Sequence, residues 1–339
     1  MPIFRFISRL IDDEDPVIVM PFGGYANTEK MFAQARVLED EGITHSQEDS
    51  FIKNLYNSYK RFETDEVENA LVKVTINGKV ITLHSDNEGY IYIDTEYQTT
   101  HLENSRTNWI PITYQLFIDD KLTHTIKDEV MIPSETASFG IISDMDDTVI
   151  DTGLSSTLKW KVIINSFFKH SNHRIPLQGA YEFYTSLRKG ADGNRDNPFF
   201  YLSNSPWNLH EYLSDFLAFH NFPKGIVLLR DIGFENPKKK TFQERNKFIK
   251  ITHILETYPN LPFVLIGDAV DLDHDIYVAI ARKFPNRIKA IYIRTVTDKR
   301  KMALVKALVE ATTDVDIVLI ESTDKAIAHA EKNQLIQKS

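Results

Sequence analysis

The chain of 339 residues contains no cysteine. That excludes disulfides, thiolate metal sites and cysteine nucleophiles. No apolar run approaches the roughly 20 residues that a membrane-spanning helix needs. Surplus positive charge is missing too: the net charge is -9. Nucleic-acid binding driven by overall charge is thereby excluded, and nucleic acid is not an expected partner. The opening stretch MPIFRFISRLIDDEDP carries only a short apolar segment, broken by Arg5 and Arg9, with no small-residue cleavage site. It does not read as a signal peptide, so the expected location is cytoplasmic. Phe4, Phe6, Ile7 and Leu10 would share one face of a short helix there, a candidate for peripheral contact with a membrane. The composition that remains, 42% hydrophobic and 26% charged, is that of a globular protein long enough for two domains.

The chain has two rhythms. Residues 17 to about 137 read as mostly strand. LVKVTINGKVITLHSD alternates apolar and polar residues around Asn77-Gly78, a strong hairpin signal. GYIYIDT and WIPITYQLFID continue the pattern, with a turn expected at Asp119-Asp120, and AQARVLEDEG adds a further strand. Several short strands with turns predict a β-sandwich-like domain over 1–136. The stretch SQEDSFIKNLYNSYKRFE interrupts it with helical spacing in Phe51, Ile52, Leu55 and Tyr59, and Ser46 is its candidate N-cap.

From about 138 the pattern changes. ASFGIISD, PFFYLSNS, KGIVLLRD, PFVLIGD and IKAIYIR are short apolar runs, with DVDIVLIES as a sixth candidate. Helical segments lie between most of them. Such alternation predicts an α/β domain with a doubly wound parallel sheet over 137–325, followed by a C-terminal tail, 326–339. In these sheets ligands bind beyond the carboxyl ends of the strands.

Polar residues collect at those ends. The first run finishes in Asp144-Met145-Asp146-Asp147-Thr148, the second in Ser203-Asn204-Ser205, and the fourth in Gly267-Asp268, with Asp271 and Asp273 close behind. Three neighbouring carboxylates repel one another, so they mark either a solvated turn or a place meant for a cation. Phosphoryl transfer through an aspartyl-phosphate would use all of these parts. It needs a carboxylate nucleophile, a second acid two residues away, a hard divalent cation and donors for the phosphoryl oxygens. Asp144 suits the nucleophile, Asp146 the acid/base, Asp268 a metal ligand and Ser203 a phosphoryl donor. Ser205 is a candidate N-cap for a helix opening at Pro206, whose N-terminus would favour phosphate.

Together these motifs resemble the haloacid dehalogenase superfamily of phosphohydrolases. More narrowly, DMDDTVIDTG, FFYLSNSPWNL, FVLIGD followed by DHDIY, and IKAIYIR resemble the phosphatidate phosphatases typified by the yeast actin patch protein, over roughly 137 to 300. PFGGYANTEKMFAQARVLEDEG is similar to the N-terminal part of bacterial members. The resemblance implies a haloacid-dehalogenase-like fold with a small cap insertion and a Mg²⁺ cofactor. Asp144 would be nucleophile and metal ligand, and Asp146 acid/base and ligand through its carbonyl. Asp268 would be a further ligand, with Asp273 supporting the shell. Ser203 and Lys247 would hold the phosphoryl group, with Lys240 and Lys250 as alternatives. The family's small Ser-Gly pair after Gly-Asp is replaced by Ala269-Val270-Asp271, which leaves Asp271 and Asp273 as rival supporters of the metal.

The insertion LSSTLKWKVIINSFFKHSNHRIPLQG mixes Trp160, Ile163, Ile164, Phe167 and Phe168 with Lys159, Lys161, Lys169 and Arg174. That mixture suits an acyl chain beside a phosphate, or an anionic membrane surface, as well as an ordinary amphipathic helix. The expected partner is a phosphorylated substrate, with a lipid phosphate foremost. A soluble small-molecule or phosphoprotein phosphatase on the same scaffold, and a non-catalytic binding protein, are the alternatives.

Overall fold

The structure, a computed structural model, describes residues 16–40, 65–96, 106–145, 179–230, 246–269 and 273–338. The N-terminal helical face, the interruption at 46–63 and the cap insertion lie outside the described residues, as do Asp146, Asp147, Thr148 and Asp271.

The first half is a seven-stranded sheet in the order β4-β3-β6-β7-β1-β2-β5. Its strands are β1 (Val17–Ala26), β2 (Lys30–Glu39), β3 (Leu71–Ile76), β4 (Lys79–His84), β5 (Tyr90–Glu96), β6 (Asn108–Ile118) and β7 (Lys121–Ile132). The β3–β4 hairpin turns at Asn77 and Gly78, with φ of 45° and 77°. Positive φ at both positions matches the twist of the flanking strands, which is why Asn-Gly marks such turns. Asp119 and Asp120, with φ of 48° and 62°, turn β6 into β7 in the same way. Strand alternation puts Val72, Val74 and Ile76 inside. They share one buried cluster with Ile91 and Ile93 from the other end of the sheet. The sheet therefore curls over its own core. A sandwich implies two sheets; here one continuous sheet results, because β1 also pairs in parallel with β7 at Gly24–Val130 and Tyr25–Met131. A register shift between Pro21 and Gly24 bends β1 at that junction.

The second half is a six-stranded sheet in the order β10-β9-β8-β11-β12-β13. Its strands are β8 (Gly140–Asp144), β9 (Phe199–Pro206), β10 (Ile226–Arg230), β11 (Phe263–Asp268), β12 (Ile288–Arg294) and β13 (Ile317–Ile320). Every pairing is parallel. Helices α1 (Ala180–Lys189), α2 (His210–Phe219) and α6 (Thr323–Lys332) contribute to one buried cluster. Helices α3 (Asn246–Thr257), α4 (Asp273–Lys283) and α5 (Lys299–Ala311) contribute to a second, on the opposite face. Neighbouring strand residues split between them: Ile141 joins the first and Ile142 the second. Burial on both faces explains why these strands read as unbroken apolar runs.

Two differences from expectation concern the C-terminal part. Helix α5 is capped by Asp298, whose carboxylate accepts from the amides of Arg300 and Lys301. Only Met302 and Val305 are buried along it, so its apolar signal is thin. The segment from 326 on is not a tail. Ala326, Ala330, Leu335 and Ile336 are buried in the same core as Ile141, because the small faces of α6 allow close packing on the sheet. Among the described residues no helix is long and apolar enough to cross a membrane.

The halves meet along α3. Tyr25 Oη lies 2.5 Å from His253 Nδ1, Asn27 Nδ2 donates to the Thr257 carbonyl at 2.7 Å, and Tyr258 Oη donates to the Ala26 carbonyl at 3.1 Å. Elsewhere the Thr107 amide donates to Asp196 Oδ2 at 2.8 Å.

Candidate active site

The strand order builds the site. From β8 the chain moves outward to β9 and β10, then returns across the sheet to β11, β12 and β13. It reverses at the β8–β11 pair, and the carboxyl ends of parallel strands diverge there to leave a crevice. Asp144 is the last residue of β8 and Asp268 the last of β11.

Lys247, in the first turn of α3, enters from one face. Its Nζ stands 2.7 Å from Asp144 Oδ1 and 2.7 Å from Asp273 Oδ1. Residues 144, 247 and 273 are thus brought to one point. All are buried: Asp144 and Asp273 at 0% exposure, Lys247 at 4%, with Asp268 beside them at 1%. Ions taken out of water this completely persist only when paired. Both oxygens of Asp273 are turned inward, since Oδ2 faces the Asp268 amide at 3.5 Å. Asp273 therefore braces Lys247 and the end of β11 together. Gly267 makes this approach feasible, because a Cβ there would stand 2.6 Å from Asp273 Oδ2 and 2.8 Å from the Tyr277 ring. Tyr277 Oη donates to the Ile266 carbonyl at 2.9 Å. Burial first, and then the Asp273 charge, push its phenol well above its ordinary pKa, so it stays a neutral donor.

The end of β8 is fixed from the other face. Ser143 Oγ donates to the Asp144 carbonyl at 2.9 Å and lies 2.6 Å from Tyr184 Oη. Ser203 is buried in β9, and its Oγ accepts from the Ser205 amide at 2.9 Å. The helix expected to open at Ser205-Pro206 starts later. Strand β9 continues through Pro206, a 3₁₀ turn follows at Trp207–Leu209, and α2 begins only at His210. Proline holds the preceding residue extended, and neither helical start has a side-chain cap. Of the candidate lysines, Lys250 donates instead to the Leu229 carbonyl, and Lys240 lies outside the described residues.

Among the described residues no three His, Cys, Asp or Glu side chains form a metal-holding group. The expected set includes Asp146, outside those residues. The donors that are described do fit a hard divalent cation. Two buried carboxylates, Asp144 and Asp273, face one buried ammonium, a third, Asp268, is buried beside them, and oxygen is their only donor atom.

A cavity of about 620 Å³ opens at the same edge of the sheet, lined by Tyr184, Gly267, Arg294, Ser322 and Thr323 among others. Tyr184, Tyr277 and Arg294 were not singled out by sequence reasoning. Tyr277 follows Asp273 by four residues, one helical turn along the same face. Arg294 ends an apolar run, as Asp144 and Asp268 do.

Residues 139–295 match the family model described as phosphatidate phosphatase APP1, catalytic domain. This stretch is similar to that catalytic domain. Over 198 residues the chain is 30% identical to phosphatidate phosphatase APP1 of Saccharomyces cerevisiae, covering 57% of this chain and 32% of that protein. Over 276 residues it is 26% identical to the uncharacterized protein C29B5.04c of Schizosaccharomyces pombe, covering 80% of this chain and 42% of that one. The chain thus spans about a third to two fifths of the length of these curated relatives. Among solved structures, a carbohydrate acetylesterase from Xanthomonas citri aligns over 91% of this chain and 72% of that chain, at 9% identity and a TM-score of 0.32. A β-glucuronidase from Ruminococcus gnavus aligns over 91% and 62%, at 8% identity and a TM-score of 0.27. Likenesses that weak carry no argument about chemistry. The matched family region, by contrast, contains Asp144, Ser203, Lys247, Asp268 and Asp273.

Proposed function

We propose that the protein is a phosphomonoester hydrolase with a haloacid-dehalogenase-like second half, working through an aspartyl-phosphate on Asp144, with phosphatidate as its substrate. The observation that carries this reading is the buried meeting of Asp144, Lys247 and Asp273 at the switch point of the parallel sheet. The family match over the same residues supports the substrate.

In this reading Lys247 aims Asp144 through their ion pair, and its ammonium lowers the repulsion between that carboxylate and an incoming phosphate. The Asp144–phosphorus bond forms as the bond from phosphorus to the alcohol oxygen breaks. Asp146 gives its proton to the departing alkoxide, then takes one from the water that hydrolyses the acyl phosphate. Ser203 holds a phosphoryl oxygen. Asp144, Asp268 and the Asp146 carbonyl would hold Mg²⁺, which when bound supplies neutralising charge for the phosphoryl oxygens. Asp273 supports that shell by fixing Lys247 and the Asp268 backbone. A lipid phosphate also implies that a cytoplasmic protein of this kind touches a membrane surface.

The test is phosphate release from phosphatidate in mixed micelles, with Mg²⁺ or EDTA, by the wild type and by Asp144→Asn. Release should require Mg²⁺ and fall by about 10³-fold or more in the variant, which keeps the shape of the side chain. Asp144-dependent hydrolysis of soluble phosphomonoesters alone would retain the mechanism and discard the lipid. Release indifferent to Asp144 overturns both.

A further inference from the structure

Arg294 has no part in the chemistry above, yet it ends β12 directly beside the site. In the β11–β12 pairing its register partner is Asp268. Paired residues of a parallel sheet project to the same face, and two residues earlier Tyr292 packs its ring on Phe183 of α1, with centroids 5.4 Å apart. Arg294 thus belongs to the face covered by α1 and α6, where it lines the cavity of about 620 Å³. The floor of that cavity includes Tyr184, whose hydroxyl meets Ser143, the residue before Asp144.

The other lining residues give the cavity a definite charge pattern. Among those described, Arg294 is the one cation, while Glu182, Glu321 and Asp324 are acids. Phe183, Ile266, Ile320 and Ile327 make much of the rest apolar. One anionic group is drawn to Arg294, and a second, farther into the cavity, would meet the acids.

We propose that Arg294 binds substrate by holding a phosphoryl oxygen, and that the cavity selects monophosphates whose alcohol part is uncharged. This rests on the hydrolase reading and deepens it. A guanidinium suits the task because its planar fork can donate two parallel hydrogen bonds to phosphate.

The experiment has two arms. In the first, binding of inorganic phosphate to the full chain is followed by titration calorimetry for the wild type, Arg294→Gln and Arg294→Lys. Affinity should fall about tenfold or more in Arg294→Gln and recover in part in Arg294→Lys, the scale of one lost charge-assisted hydrogen-bond pair. In the second, a short-chain phosphatidate and fructose 1,6-bisphosphate are compared as substrates. Arg294→Gln should raise KM with little change in kcat, and Glu321→Gln with Asp324→Asn should raise relative turnover of the bisphosphate. Unfolding midpoints are measured alongside, because a purely structural role would move the midpoint and leave KM and phosphate affinity in place. Unchanged phosphate affinity and KM in Arg294→Gln overturn the proposal. Loss of phosphate affinity in that variant, in a protein that hydrolyses neither substrate, keeps the anion site and removes the hydrolase reading instead.

Discussion

In the first sheet, Arg36 is the one fully buried charged side chain among the described residues, and it is fully occupied. Its Nε donates to the Glu88 carbonyl at 2.7 Å, and its guanidinium lies over the rings of Tyr90 at 4.9 Å and Trp207 at 4.3 Å. In the second sheet Asp144, Asp268, Asp273 and Lys247 are all buried, and negative charge predominates. The first arrangement resembles a structural pin: a single cation satisfied by a carbonyl and two π faces. The second carries charge beyond what folding alone would favour, which is the mark of a site shaped for a ligand. Trp207 follows β9 directly, so the pin of the first sheet grips the segment just beyond Ser203.

Removing charge should therefore have unequal consequences in the two halves. The largest effect should come from Lys247→Met. It deletes the ammonium that two buried carboxylates face, at a cost of about 3–5 kcal/mol in urea unfolding, and Asp273→Asn in the same chain should restore part of it. A cost below about 1 kcal/mol would mean that the carboxylates are held by something else.

Next comes acidification, read at the seam between the halves. Burial is the main reason that the His210 imidazole, packed against the Phe22 ring at 5.2 Å, is pushed down to about 4. The unfolded chain takes up this proton near pH 6.5 and the folded chain only near pH 4. The contribution is therefore present in full above pH 6.5 and is lost as pH falls from there towards 4. It amounts to about 1–3 kcal/mol, discounted for the edge of the ring that remains in contact with solvent. His210→Gln should flatten that part of the pH–stability curve; an unaltered slope would place its origin elsewhere.

The smallest effect should be Arg36→Ala, about 2 kcal/mol from the lost cation–π and carbonyl contacts. Turnover by the folded protein should change little. A collapse of turnover at unchanged stability would show that the first sheet acts on the site through Trp207.

The strands and turns were legible because they follow local rules. Asn77-Gly78 and Asp119-Asp120 announce their turns, and apolar runs such as FVLIGD announce strands buried on both faces. The carboxylates at the run ends were visible for the same reason, since polar residues are costly there unless they serve a purpose. Helix α5 escaped notice because only two of its residues are buried, and the last residues looked like a tail because the buried residues of α6 are alanines, with large buried side chains only beyond it at Leu335 and Ile336. Ser205 seemed a helix cap because a serine before proline satisfies that local rule, whereas in the fold the proline prolongs the strand.

Residue types and their spacing were enough to establish that the chain has two halves, that the second alternates strand and helix, and that acids stand at its strand ends. Which strands are neighbours was decided only in three dimensions. The order β10-β9-β8-β11-β12-β13 sets Asp144 beside Asp268, and helix packing brings Lys247 and Asp273 to meet over a glycine without a Cβ. Local sequence can fix where a strand stops, because that depends on near neighbours. Convergence of residues more than a hundred positions apart depends on how whole elements bury their faces, and no short stretch of sequence contains that information.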